Sequence, residues 1–250
     1  MPELPEVETT RRGIAPHITN QTVKQVIVRE PRLRWPVPDN LDALLIGQAI
    51  SEVTRRGKYI LADVGSGCLL MHLGMSGNLR VLPIDTPLKK HDHVDIVFDN
   101  EQCLRYHDPR RFGSLLWVEK PVLTHPLLAK MGPEPLGGDF DGDHLYQQSR
   151  GRTGPIKNFI MDGHIVVGVG NIYANEALFL SGIRPDRAAG RVSRPRYHRL
   201  AENIKKVLSE AIKQGGTTLR DFTGAGGAPG YFKQYLRSYT RKSWPQRMCL

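Results

Sequence analysis

The stretch Tyr59-Ile-Leu-Ala-Asp-Val-Gly-Ser-Gly-Cys-Leu-Leu-Met-His-Leu73 sets two short apolar runs on either side of a Gly-Ser-Gly break. Runs of this kind read as strands, and the break reads as the turn between them. The pattern recurs at Thr22–Arg29, Ile50–Arg56, Asn78–Leu82, Val94–Phe98, Cys103–Tyr106 and Ser114–Val118, with Gly, Pro, Asn and Asp between the runs. Eight short strands so spaced predict an antiparallel sandwich or barrel.

Ahead of the strands, Glu6 to Ile14 reads as a short helix that follows Pro5, has acidic residues in its first turn and ends near Gly13. Behind them, Met131-Gly-Pro-Glu-Pro-Leu-Gly-Gly138 holds two prolines and three glycines in eight residues, which disfavours any regular element. A hinge is expected there, over 132–140. Beyond it the apolar spacing turns helical. Ile172, Ala177, Leu178 and Leu180 fit one helix ended by Gly182 and Pro185. Leu200, Ile204, Val207, Leu208, Ala211 and Ile212 fit a longer one, capped by Ser193 and ended by Gly215-Gly216. The expected fold is α+β: an N-terminal antiparallel β-sandwich flanked by helices over 1–131, then an all-helical domain over 141–250. The glycine-rich stretch Thr223–Gly230 is expected to be a mobile loop.

The charge is unevenly placed. The whole chain carries +10, but residues 1–150 hold 18 Lys/Arg against 19 Asp/Glu, while residues 151–250 hold 17 against 6. A basic module joined to a neutral one suggests a polyanionic partner, nucleic acid first, because Lys and Arg that neutralise phosphates release condensed counterions. A solvated basic face made for solubility is the plainer alternative. An anionic membrane surface fits less well, since the basic residues lack the Trp/Phe/Leu face of an interfacial helix. No run approaches an 18-residue apolar span, and the acidic N-terminus has no apolar core of a signal peptide, so a cytosolic location is expected. Cys68, Cys103 and Cys249 are too few and too scattered for a disulfide framework.

Chemistry is concentrated in a few segments. Removal of Met1 before the small Pro2 would expose a secondary amine. At a pKa near 8 it is roughly one-tenth unprotonated at pH 7, enough to attack an aldehyde-like carbon and form an iminium. Glu3 and Glu6 are close by and raise the amine pKa more than the helix N-terminus lowers it. Either one of these carboxyls stays protonated and serves as general acid, or the amine passes it a proton on attack; Glu3 is the candidate. The plain alternative is a helix start that happens to be acidic. Lys58, next to Gly57, lies between two strand runs, where a single Lys is usually surface. His91-Asp-His93 with His72 and His107 lacks a metal-ligand spacing, and no metal is expected there. Asp108-Pro-Arg-Arg-Phe-Gly113 and His72-Leu-Gly-Met-Ser-Gly77 each set a bulky apolar tip beside glycine, as a wedge into a duplex requires; core packing of Met75 and Phe112 is the alternative. Gly168-Val-Gly-Asn-Ile-Tyr173 opens a helix where an anion is favoured.

Seven motifs together resemble bacterial formamidopyrimidine-DNA glycosylase, in its order and over residues 2 to about 242. They are Pro2-Glu-Leu-Pro-Glu-Val-Glu8, His72-Leu-Gly-Met-Ser-Gly77, Lys90-His-Asp-His-Val94, Asp108-Pro-Arg-Arg-Phe-Gly113, Gly132-Pro-Glu-Pro-Leu136, Gly168-Val-Gly-Asn-Ile-Tyr173 and Gln214-Gly-Gly-Thr-Thr-Leu-Arg-Asp-Phe222. The resemblance implies base-excision repair: removal of 8-oxoguanine and formamidopyrimidines from double-stranded DNA, then strand cleavage at the abasic site by a lyase step. It makes Pro2 the Schiff-base nucleophile at the sugar C1′, Glu3 the proton donor and Lys58 the acid assisting β-elimination. Glu6, Thr217, Arg220 and Tyr231 become lesion-pocket residues, with Thr217–Tyr231 the loop that closes over the everted base. Met75, Arg110 and Phe112 fill the void left by that base. His91, Arg110, Arg152, Lys157 and Asn171 become DNA contacts, and the helices around 171–213 a helix-two-turn-helix. A monomer without membrane contact is implied.

The family also binds one zinc through two Cys-x-x-Cys pairs near its C-terminus. Here the chain ends Ser243-Trp-Pro-Gln-Arg-Met-Cys-Leu250, where Cys249 has no partner cysteines, and no bound zinc is expected. Two functional readings follow: an active glycosylase and lyase, or a lesion-binding protein with little turnover for want of the finger. A pyrimidine-directed relative of the endonuclease VIII branch is a third, but the Met75, Arg110, Phe112 set and the Thr217–Tyr231 loop lean to the purine branch.

Overall fold

The structure is a computed structural model that describes residues 1–217 and Leu236. Arg220, Thr223–Gly230, Tyr231 and Cys249 lie outside the described residues. All eight expected strands form: β1 (Val23–Val28), β2 (Glu52–Arg56), β3 (Tyr59–Asp63), β4 (Gly67–His72), β5 (Asn78–Pro83), β6 (Asp92–Phe98), β7 (Gln102–His107) and β8 (Ser114–Glu119). Every pairing is antiparallel. The strands make two four-stranded sheets, ordered β1-β6-β7-β5 and β2-β3-β4-β8. Leu79, Ile96, Phe98 and Leu104 from the first share one core with Val53, Ile60, Leu69, Met71 and Leu115 from the second. Two sheets that bury facing sides in one core are a sandwich, which decides between the two expected architectures.

Register gathers the loops. Tyr59 pairs with His72 across β3 and β4, and His72 pairs with Ser114 across β4 and β8. In the other sheet, His107 stands between Asn78 and Asp92. The β2–β3 turn carrying Lys58, the β4–β5 connection carrying Met75 and the β7–β8 connection carrying Phe112 therefore leave from the same row of the second sheet. The last two connections also cross to the first sheet beside His91.

The N-terminal helix α1 is longer than the sequence suggests, running Leu4–Ile18 rather than stopping near Gly13. Ile14 and Ile18, one turn apart, are both fully buried. Two buried isoleucines contribute about 3–6 kcal/mol against roughly 1 kcal/mol lost by an interior glycine, so packing overrides the local stop signal. A five-residue helix, α2 (Leu41–Leu45), buries its two end leucines; it is too short to leave a periodic signal.

The described chain divides into two units. One takes Met1–Ala129 and resumes at Gly215, and the other begins at Lys130 and runs to Gln214. The second is helical: α3 (Gly142–Ser149), α4 (Ile156–Met161), α5 (Asn171–Ser181) and α6 (Arg194–Lys213). The two longer helices match the expected spans, and Gly182 ends α5 in the left-handed conformation at φ 63°. Ser193 stands at the α6 N-cap without a side-chain hydrogen bond, and Pro195 presets the first turn instead. α3 escaped the sequence reading despite a true cap, the Asp141 carboxylate accepting the His144 N–H at 2.7 Å, because eight residues hold barely two turns.

Because Gly13 lies exposed inside α1, Gly13→Ala is expected to stabilise the protein by about 0.5–1 kcal/mol in urea unfolding. A loss of stability would mean that the helix does end there.

Candidate active site

Pro2 is buried just ahead of α1, while Met1 is half exposed. Glu3 takes the N-cap position, and Glu6, three residues on, accepts the Glu3 backbone N–H at 2.8 Å. The same Glu6 carboxylate accepts the Thr217 N–H at 2.8 Å. Both acids are 2 % exposed, so the start of α1 presents two buried carboxyls directly after Pro2 in the chain. Gly216 makes the approach of Thr217 possible. At φ 80° it sits in left-handed backbone, and a Cβ there would meet Glu6 Oε1 at 3.0 Å.

Lys58, at the β2–β3 turn, brings its ammonium to the same pair of acids. Burial lowers its pKa, the charges of Glu3 and Glu6 act in the opposite sense, and the net shift is downward. A strut that the sequence reading missed holds this turn against α1. Glu8 accepts from Arg11 and Arg12 on its own helix, at 2.9 and 2.7 Å, and from Arg55 Nε on β2 at 3.2 Å. Arg55 in turn donates from its NH1 to the Gly57 carbonyl at 2.8 Å, directly before Lys58. Burial raises the Glu8 pKa, but the three guanidinium groups prevail and hold it near 2. The helix that carries the acids and the turn that carries the lysine are thus joined by one carboxylate.

The neighbouring loops are pinned by Asp108, which is fully buried. Its carboxylate accepts the Ser76 hydroxyl at 2.8 Å and the Gly113 N–H at 2.9 Å, with the Arg110 N–H at 3.3 Å; its carbonyl accepts His93 Nε2–H at 2.7 Å. A side chain at Gly113 would overlap the Tyr106 hydroxyl, which donates to the His72 carbonyl at 3.0 Å. With the bases of both loops fixed, their tips project. Phe112 is 47 % exposed, the Arg110 guanidinium lies 5.1 Å from its ring centre, and Met75 is half-buried. This favours the wedge over core packing for Phe112, because a core residue would be covered.

His72 bridges the two groups. Burial, with Lys58 and Arg34 nearby, pushes its pKa down to about 4, so the ring is neutral at pH 7. Its Nδ1 accepts the Gly74 N–H at 2.9 Å, which leaves the proton on Nε2. His91, at φ 75°, stands beside the loops with its pKa lowered by partial burial and by Lys90, His93, His107 and Arg111.

The helical unit carries the remaining candidates. Asn171 is exposed at the first position of α5, after Gly168 at φ 83°; Arg152 is exposed, and Lys157 on α4 is 8 % exposed. Among the described residues no three His, Cys, Asp or Glu side chains group as a metal site. The 250 residues hold three cysteines, of which Cys68 and Cys103 are buried in different sheets, with burial pushing the Cys68 thiol up to about 12. They do not fit a four-thiolate zinc.

Residues 1–115 match the family described as Formamidopyrimidine-DNA glycosylase N-terminal domain, and residues 131–223 match the Formamidopyrimidine-DNA glycosylase H2TH domain. The chain is 62% identical over 241 residues to the formamidopyrimidine-DNA glycosylase of Thioalkalivibrio sulfidiphilus, covering 96% of this chain and 89% of that one. It is 59% identical to that of Methylococcus capsulatus over 249 residues, 100% of this chain and 92% of that one. Among solved structures, the MutM (Fpg) protein of Thermus thermophilus superposes with a TM-score of 0.86 at 37% identity, over 99% of this chain and 91% of that one. The Lactococcus lactis Fpg in complex with abasic-site DNA superposes with a TM-score of 0.88 at 34% identity, over 95% and 88%.

Asp108→Ala leaves the buried Ser76 hydroxyl and Gly113 N–H without their acceptor. The expected cost is about 2–4 kcal/mol, read as a lower urea midpoint at unchanged slope. A loss under about 0.5 kcal/mol would show that the loops hold without this carboxylate.

Proposed function

Because the chain belongs to the formamidopyrimidine-DNA glycosylase family, we infer that it is a base-excision repair enzyme that removes oxidised purines, 8-oxoguanine and formamidopyrimidines, from duplex DNA and then cleaves the strand as an abasic-site lyase. The observation that carries the chemistry is the meeting of Glu3, Glu6 and Lys58 at the buried start of α1, beside Pro2.

In this reading, removal of Met1 makes the Pro2 nitrogen an amine. It bonds to the sugar C1′ as the damaged base departs with the glycosidic electron pair and takes up the proton the amine gives up; the nitrogen lone pair then breaks the C1′–O4′ bond, O4′ leaves as a hydroxyl with a proton from Glu3, and a C1′ iminium remains. The iminium so formed acidifies the C2′ hydrogen, whose loss expels the 3′ phosphate. Lys58 serves that step as the acid. Glu6, held by two backbone N–H groups, shapes the pocket with Thr217, and Arg220 and Tyr231 are assigned to the same pocket. Met75 and Phe112 occupy the gap in the stack, and Arg110 faces the base left unpaired. His91, Arg110, Arg152, Lys157 and Asn171 hold the backbone of the duplex. The intact Pro2, Glu3 and Lys58 set favours turnover over lesion binding alone. A monomer working on chromosomal DNA in the bacterial cytoplasm fits this role, and no described helix is long and apolar enough to cross a membrane.

Incubation with an abasic-site duplex and borohydride is expected to trap a covalent adduct, and Pro2→Gly is expected to lose it by about 100-fold or more. An adduct of equal yield in the variant would remove Pro2 from the role.

The pH dependence of strand cleavage follows from the lowered pKa of Lys58. An acid acts only while protonated, so the rate holds below its pKa and falls above it. The fall is expected below the ordinary lysine value of about 10.4, and Lys58→Arg is expected to cut the rate and carry the fall to higher pH. An alkaline limb that does not move in the arginine variant would assign the proton to another group.

A further inference from the structure

The connection from α5 to α6 carries Arg184, Arg187 and Arg191, and Arg196 follows in the first turn of α6. These four arginines and a single acid, Asp186, line a cavity of about 460 Å³. Four guanidinium groups against one carboxylate give a lining of about +3 that no physiological pH removes.

Three of the four are held in place along one edge. Arg184 grips the Asp186 carboxylate through Nε and NH2 at 3.1 and 2.7 Å. Arg187 donates from the same two nitrogens to the Arg191 carbonyl at 3.3 and 3.0 Å. Arg196 NH2 donates to the Gly182 carbonyl at the end of α5, at 2.6 Å. Each guanidinium has five N–H donors, so pinning one edge sets the orientation and leaves the other edge to donate. Planar, fixed forks of this kind match the paired oxygens of a phosphate, and a cavity this size takes a phosphodiester with part of its sugars.

The neighbouring strip of chain points to the source of that phosphate. Residues 152–157 run antiparallel along the connection: Gly190 N–H donates to the Arg152 carbonyl at 2.9 Å, Ala189 N–H to Gly154 at 2.9 Å, Ile156 N–H to the Arg187 carbonyl at 2.8 Å, and Lys157 N–H to the Pro185 carbonyl at 3.2 Å. Arg152 and Lys157, assigned above to the DNA backbone, are therefore carried on a ribbon hydrogen-bonded to the arginine pocket. We propose that the pocket lined by Arg184, Arg187, Arg191 and Arg196 is a further backbone-phosphate site, which binds duplex DNA outside the lesion and sets affinity rather than chemistry. This rests on the reading that the chain repairs DNA.

The test uses the full chain and an 8-oxoguanine duplex, with binding measured by anisotropy across a salt series and excision measured in single turnover at saturating protein. Arg187→Gln with Arg191→Gln is expected to weaken binding about tenfold at 0.15 M salt and to lower the slope of log K against log salt by about 1–2, with the saturating rate unchanged. Asp186→Asn is expected to tighten binding, a gain that misfolding cannot produce. An unchanged slope, or an unchanged affinity in Asp186→Asn, overturns the proposal. So does a double variant that loses binding of inorganic triphosphate while keeping the wild-type slope on DNA, which would make the site one for free anions. Failure of the wild-type chain to excise would overturn the repair reading itself, a result separate from any of these.

Discussion

The row Tyr59, His72, Ser114 is the constraint from which the rest of the site follows. Antiparallel pairing puts these three residues side by side across β3, β4 and β8. Whatever chain precedes Tyr59, follows His72 or precedes Ser114 must then begin within two strand spacings, about 10 Å. Those segments are the Lys58 turn, the Met75 loop and the Phe112 loop. A shift of the register by one residue would send His72 to the opposite face of its sheet and part Gly74 from the Phe112–Gly113 backbone, which lies so close that Gly74 tolerates no side chain. The core on the other side forbids that shift, because Ile60, Leu69, Met71 and Leu115 would leave it.

Two buried carboxylates inside this frame have defined partners. Glu8 is committed to three arginines, and Asp108 to the loop hydroxyl and amides. Neither is positioned to serve as a second acid for the reaction. Lys58, with Glu3 and Glu6, forms the other buried charged group at the start of α1. His72 adds a neutral ring rather than a further charge, because burial first, and then the nearby Lys58 and Arg34, disfavour a cation there. Burial first, against the opposing charges of Glu3 and Glu6, makes Lys58 give up its proton more readily than an ordinary lysine, which an arginine in its place would not do.

Much of this was legible in the sequence, for reasons that differ by element. The strands were readable because each is an apolar run bounded by turn residues, and α5 and α6 because each is long enough to repeat its buried face. The motifs gave the family through their order along the chain; Pro2 and Glu3 open one of them, whereas Lys58 lies in none and takes its role only from the resemblance. Register, by contrast, is a property of residues tens of positions apart, so the convergence of residues 58, 75 and 112 left no local trace. The extension of α1 past Gly13 depends on a core that forms only when the sheets pack. Glu8 and Arg55, 47 residues apart, look like ordinary surface charges until the strand is laid against the helix. Asp108 read as the start of a loop motif. Its actual work, holding two loops from within, needed the positions of Ser76 and Gly113.

The division of charge along the chain has a physical logic in this arrangement. The chemistry sits in a stretch of residues that is nearly neutral overall, and the excess of eleven positive charges is carried by residues 151–250. Non-specific attraction to a polyanion grows with the number of phosphates neutralised and weakens as salt rises, so it can be tuned by adding or removing arginines without touching a reacting atom. A cation added beside Lys58 would push its pKa further down. Arginines such as Arg184, Arg187, Arg191 and Arg196, which belong to no part of the Lys58 turn or of the start of α1, can change in number without changing a residue of the proton chemistry. At the α5–α6 connection Arg184 is held by the Asp186 carboxylate, whereas Arg187 and Arg196 are fixed to backbone carbonyls, and a carbonyl orients a guanidinium without cancelling the charge it would bring to DNA.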